Sequence, residues 1–234
     1  MYLQTLIFTL LLSVLSSLTG NTESYTELFG SYWNRATEKI AERRAVWNEV
    51  FLALDTETTE CEAVIFPEQL RYSRLQNNME QAALWSLYVR GGKQKANFSI
   101  GLFQMKPSFA EEVETAWMKS PLRHEYKLYF NCNDNNEVRR RRLQRLTNER
   151  WQCVYLAVFI RLMLEREPSL QKLSSEERVS LLATAYNVSF RASLEVLRRS
   201  QKRRSFHLDL IPTKRTVYYA YAEIAVERFR QLNE

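Results

Sequence analysis

Apolar residues recur every three or four positions between Leu28 and Leu54: Phe29, Trp33, Ala36, Ile40, Trp47, Val50 and Leu54. That step keeps them on one face of a helix, so the segment is expected to form one amphipathic helix. The polar run Asp55 to Glu60 breaks the pattern. A second helix is expected through Ala63, Val64, Ile65 and Phe66, with Pro67 near its start or at a kink. Gln81 to Val89 predicts another, stopped by Gly91-Gly92. Lys93 to Gly101 is short and irregular, suited to a small β-hairpin or a loop.

Pro107 is placed for the first turn of a helix running from Ser108 to Met118. The polar cluster Asn131 to Asn136 predicts a turn, and Val138 to Leu164 one long helix. The second half of that helix, from Trp151, is apolar almost all round, which marks it as buried and central. After Pro168, Ser174-Ser-Glu-Glu177 fits a capping box that opens a helix carrying Val179 to Asn187. Phe190 to Arg199 reads as helix, Gln201 to Thr213 as a basic loop and Thr216 to Leu232 as an aromatic-rich closing helix. The fold class expected is mainly α.

Composition agrees with this pattern. The 234 residues include five Gly and five Pro, too few for a turn-rich sandwich or a Gly-rich nucleotide fold. Residues 1–20 carry no charge, and Leu6 to Leu15 is an apolar run with Ser16, Ser17, Thr19 and Gly20 behind it. This predicts a secretory signal peptide, hence export to a periplasmic or extracellular site; a short anchor or a buried first helix is the alternative. Cys61, Cys132 and Cys153 admit a bridge between Cys132 and Cys153, or three free thiols. His124 and His207 form no ligand cluster, so no zinc site is expected.

The net charge is +6, with basic runs at Arg139 to Arg142 and at Arg198 to Arg204. For an exported chain, anionic envelope polymers are the natural partners of such runs, unless the runs are simply solvated helix faces. Nucleic acid is not expected: the runs lack interleaved aromatics and no binding motif is present. Oligomeric state is left open.

Three segments carry candidate chemistry. In Val64-Ile-Phe-Pro-Glu68 a carboxylate follows an apolar run, and burial there would raise its pKa toward that of a general acid. In Asn97-Phe-Ser-Ile-Gly-Leu-Phe-Gln-Met-Lys-Pro107, Gly101 permits a strained turn or a close backbone approach, and Gln104 offers both a donor and an acceptor. In Leu182-Ala-Thr-Ala-Tyr186-Asn187, a polar pair ends an apolar helix, where Tyr186 is either cleft wall or core and Asn187 either cleft wall or C-cap.

In this order the segments resemble lytic transglycosylases with a lysozyme-like fold. Gly101-Leu-Phe-Gln-Met-Lys-Pro107 is similar to that family's Gly-Leu-Met-Gln-x-x-Pro signature. Glu68 stands upstream where the family has its acid, Ala185-Tyr186-Asn187 downstream, and Pro212-Thr-Lys-Arg-Thr-Val-Tyr-Tyr219 keeps the Pro, Thr and Tyr of a later motif. The chain departs from the pattern at Gln69 (Ser in the family), Val188 (Gly) and Arg215 (acidic), and in a longer gap before Gly101.

The resemblance implies a lysozyme-like helical domain at 61–234 that cleaves peptidoglycan glycan strands with no metal or cofactor; residues 22–60 lie outside it and read as an N-terminal helical extension. Glu68 would act as acid and then base, with Glu80 as the fallback. Ser99, Gly101 and Gln104 would hold the glycan, Tyr186 and Asn187 would shape the cleft, and Tyr219 would hydrogen-bond the carboxyl. The alternatives are a lysozyme-like domain that binds glycan or a partner without cutting, and a structural protein whose basic faces bind envelope polymers. Two Asn-x-Ser sequons, at Asn97 and Asn187, fall inside the site and read as chance tripeptides, since a glycan there would obstruct it.

Overall fold

The structure is a computed structural model that describes residues 24–72, 81–209 and 212–234. The expected signal peptide at 1–20 and the fallback acid Glu80 lie outside the described residues. The described chain is mainly helical, with one small antiparallel pair of strands. Its described helices include none long and apolar enough to cross a membrane.

The N-terminal pattern folds as three helices rather than one: α1 (Tyr25–Phe29), α2 (Ser31–Ala41) and α3 (Arg44–Leu52). Gly30, at φ +46°, breaks the first junction, and Glu42 and Arg43 form the second. The periodicity still identifies the inward face, since Phe29, Trp33, Ala36, Ile40, Trp47, Val50 and Leu54 are all buried. These helices pack onto the rest of the chain. Trp47 packs edge-on against Phe103 at 4.9 Å, and its indole N–H donates to Glu149 at 2.7 Å. The boundary expected at residue 60 falls inside α4 (Thr58–Tyr72), which continues through Pro67.

After α5 (Gln81–Gly91) and a single 3-10 turn, the chain is irregular through residue 99. The hairpin-like feature lies later than expected, as a bridge between Ile100 and Met105. Next come α6 (Pro107–Trp117), with Pro107 in its first turn as expected, and the short α7 (Leu122–Glu125). The segment expected as one helix from Val138 is two, α8 (Asn136–Thr147) and α9 (Glu149–Arg166). Asn148 separates them: its backbone is extended, at ψ 123°, and its side chain accepts from Trp151 N to cap α9.

As expected, α9 is buried along most of its length, from Gln152 and Cys153 to Met163. The capping box at Ser174 opens α10 (Ser175–Val188). Ser193 caps α11 (Leu194–Ser200), shorter than the helix expected from Phe190. The strands β1 (Arg204–Phe206) and β2 (Tyr219–Ala220) then pair, so the closing helix α12 (Tyr221–Leu232) begins five residues later than expected. Helices α4, α10 and α12 pack on one another, and α9 packs against α3, α6 and α8.

Buried carboxylates pin these groups together. Glu62 on α4 accepts from Arg228 on α12 and from Arg44, each at 2.6 Å. Glu60 receives both Arg178 nitrogens, and Glu114 receives Arg142 through Nε at 2.9 Å and Nη2 at 2.6 Å. The basic run at Arg139 to Arg142 is therefore only partly a solvated face: Arg142 is a buried structural cation. Removing one member of such a pair strands the other without water. Arg142→Met should lower the unfolding free energy by on the order of 3–5 kcal/mol, read from urea midpoints; a loss within experimental error would show that Glu114 is stabilised by other groups.

Candidate functional site

Glu68 lies on α4 directly after the buried run Val64 to Pro67. Its residue surface is 7% exposed, and Oε2 has no hydrogen-bond partner. Burial raises its pKa to about 7, against opposing influences from the Arg71 and Lys106 charges. Arg71 Nη1 lies 3.7 Å from Oε2. Sequence reasoning anticipated the raised pKa but missed Arg71, which sits one turn further along the same helix.

The neighbouring Gln69 stands where the resembled pattern has Ser. Its Nε2 donates to the carbonyl of Leu102 at 2.5 Å, tying the acid's helix to the 101–104 turn. That turn is closed by two backbone hydrogen bonds between Ile100 and Met105, at 2.9 and 3.1 Å. Gly101 (φ +68°) and Gln104 (φ +51°) both adopt left-handed backbone geometry. Gln104 Nε2 donates to the Gly101 carbonyl at 2.8 Å, so this amide supports the turn. Ser99 is half-buried just before Ile100.

Beneath the turn lies Gln152 of the buried helix α9. Its Oε1 accepts from Phe103 N at 2.8 Å, and its Nε2 donates to the carbonyls of Ile100 and Leu146. A Cβ at position 101 would sit 1.6 Å from Gln152 Nε2 and 2.8 Å from the Leu146 carbonyl oxygen. Gly101 is thus required for protein packing as well as for its φ.

Tyr186, half-buried near the end of α10, donates from its hydroxyl to the Phe103 carbonyl at 2.7 Å. Asn187 follows it, also half-buried, within the helix; the C-cap is Ser189 rather than Asn187. The ring of Tyr219 on β2 packs against Phe29 at 4.9 Å and Tyr25 at 6.3 Å. A second tyrosine, Tyr221, feels the acid: it is buried, its hydroxyl has no hydrogen-bond partner, and its pKa is raised first by burial and then by the Glu68 charge. Tyr186 is raised by the same two causes in the same order. Both hydroxyls therefore stay protonated. Spacing alone could not single out Tyr221, because the switch from β2 to α12 falls between it and Tyr219.

Glu68, the 101–104 turn, Tyr186 and Tyr221 are thus interlinked, and Lys106 follows directly after the turn. A general acid held near neutrality beside protonated tyrosines can donate and recover a proton. A separate cavity of about 560 Å³ lies among Val50, Leu54, Leu128 and Trp151. Glu49 and Arg150 in its lining are both exposed and pair with each other at 2.7 Å.

Among the described residues, no group of three or more His, Cys, Asp or Glu could hold a metal. All three cysteines are free. The bridge considered between Cys132 and Cys153 is not formed: Cys132 is exposed in the loop before α8, and Cys153 is buried on α9. No family model matches the chain, and neither a curated protein nor a solved structure shows significant similarity to it.

The raised pKa has a thermodynamic signature. Unfolded, the carboxyl titrates near 4.5; folded, near 7. Between those values the folded chain holds a proton that the unfolded chain has released, so the contribution of Glu68 to stability falls as pH rises through this window. Glu68→Gln should match the wild type near pH 4 and exceed it at pH 8, by on the order of 3 kcal/mol. Parallel stability curves across that range would contradict a buried, raised acid. At the turn, Gly101→Ala should cost on the order of 2 kcal/mol or more, read as a lowered melting temperature.

Proposed function

We propose that this chain is an exported glycosidase of the cell envelope that cleaves peptidoglycan glycan strands through Glu68 as single acid and base. The observation that carries this reading is the buried, hydrogen-bond-free Oε2 of a carboxyl whose pKa is raised to about 7, tied through Gln69 to the Gly101–Gln104 turn. The charges that act on Glu68 are those of Arg71 and Lys106, and the tyrosines that feel its charge are Tyr186 and Tyr221; none of these is a second carboxylate.

Ordinary glycosidases pair two carboxylates. One carboxyl suffices where the substrate supplies the nucleophile. Glu68 would protonate the oxygen between N-acetylmuramic acid and N-acetylglucosamine as the glycosidic bond breaks. The C6 hydroxyl of the muramic acid would attack its own C1 and surrender its proton to Glu68. The products are a 1,6-anhydro sugar and a free N-acetylglucosamine hydroxyl, and the acid is regenerated. Ser99, Gly101 and Gln104 would present the turn to the glycan, with Tyr186 and Asn187 as cleft wall. Tyr221 joins Tyr219 as a candidate donor to the carboxyl.

One observation favours a binding-only reading: a guanidinium 3.7 Å from Oε2 stabilises the charged form, which cannot donate a proton. Zymography on purified cell wall separates the two. Wild type should clear the wall, and Glu68→Gln should lose activity by about 10²–10⁴-fold; no clearing by the wild type would leave only binding. Mass spectrometry of the products should show anhydro ends, whereas reducing ends would indicate hydrolysis.

A further inference from the structure

Arg71 does not close onto its carboxylate as the other buried arginines do. Arg228 reaches Glu62, Arg178 reaches Glu60 and Arg142 reaches Glu114, each through Nε and Nη2. Such charge-assisted hydrogen bonds from two guanidinium nitrogens are a strong way for an arginine to neutralise a buried acid. Arg71 instead stands off at 3.7 Å, beyond hydrogen-bond reach, and leaves Oε2 unbonded. It is held there from the other side. Its guanidinium lies over the Phe206 ring at 5.2 Å, and Nη2 is 3.5 Å from His207 Nε2.

A second cation stands nearby. Lys106, exposed at the start of α6, acts on Glu68 from the turn side. The β-hairpin that carries Phe206 and His207 also exposes Lys202, Arg203, Arg204, Lys214 and Arg215. The site is therefore a buried acid flanked by positive charge, and a neutral sugar would have no use for such a field.

Resting on the glycosidase reading, we propose that Arg71 and Lys106 form an anion subsite that selects glycan bearing a carboxylate beside the bond to be cut. In peptidoglycan that carboxylate is either the lactyl group of a muramic acid stripped of its peptide or an acid of the attached stem peptide. Arg71 offers a planar fork for either, and Lys106 adds a point charge. Engaging a substrate carboxylate would also shield Glu68 from the charge that favours its ionised form.

Binding to the Glu68→Gln protein, measured by calorimetry at low salt, tests this without turnover. Three tetrasaccharides serve as probes: alternating GlcNAc–MurNAc with free lactyl groups, the same glycan with stem peptides, and neutral (GlcNAc)₄. At least one carboxylate-bearing glycan should bind about tenfold tighter than the neutral one, and which one does so identifies the carboxylate. In the same background, Arg71→Met should bring the ratio close to one and Arg71→Lys should restore part of it. Lys106→Met, at an exposed position, should lower the ratio without affecting the fold. Equal binding of all three glycans, or a ratio that survives both methionine variants, overturns the subsite. If the wild type still clears cell wall in a Glu68-dependent way, the enzymatic reading stands while the subsite falls. If nothing binds and nothing clears, both fall.

Discussion

The arrangement of the site depends on one buried amide. Gln152 projects from the central helix α9 and binds three backbone groups, at Ile100, Phe103 and Leu146. A polar side chain this deep is tolerable only when its donors and acceptors are used, and here they hold a loop in place. The contact demands glycine at 101, because any Cβ would occupy the position of the amide nitrogen. Once the turn is seated on α9, the Leu102 and Phe103 carbonyls are aimed at Gln69 and Tyr186. Helices α4, α9 and α10 thus meet at a four-residue turn, and the acid on α4 is positioned by that meeting.

The Gly101-Leu-Phe-Gln104 motif serves the fold of its own turn. Gln104 folds back onto the Gly101 carbonyl and Gly101 accommodates Gln152, so both serve the turn's own geometry. Gln69, where the resembled family has Ser, supplies a reach that a shorter side chain lacks. It spans from α4 to the Leu102 carbonyl.

What was legible in the sequence followed from period and punctuation. The inward faces of α1 to α3, the buried α9, Pro107 in a first turn and the Ser174 capping box all rest on local rules, and those rules held. The junctions were not legible. Gly30 and Asn148 each interrupt a continuous apolar stripe, and a stripe does not reveal where the backbone turns between two helices that share a core. The strands were hidden for a related reason: two or three residues make no period, and β1 and β2 exist because they pair across twelve intervening residues. Among the site residues, the burial of Glu68 followed from its apolar lead-in. Arg71, Gln69, Gln152 and Tyr221 did not, because their significance lies in contacts that join different elements or in the way a shared helix closes.

Helix α4 itself shows why Glu68 is the carboxylate to watch. It buries three glutamates, Glu60, Glu62 and Glu68. The first two lie in the N-terminal half, where the helix dipole favours negative charge; Arg178 closes on Glu60, and Arg44 and Arg228 close on Glu62. Glu68 lies toward the C-terminal end, where the dipole opposes its charge, and its arginine stands apart. Pro67 removes one more backbone N–H from the same turn. A fold optimised only for stability would have matched the third carboxylate as it matched the others, or replaced it with an apolar residue. The mismatch leaves a carboxyl with a pKa of about 7 at the edge of a preorganised turn. Local stability is sacrificed at the position where a general acid would need its proton.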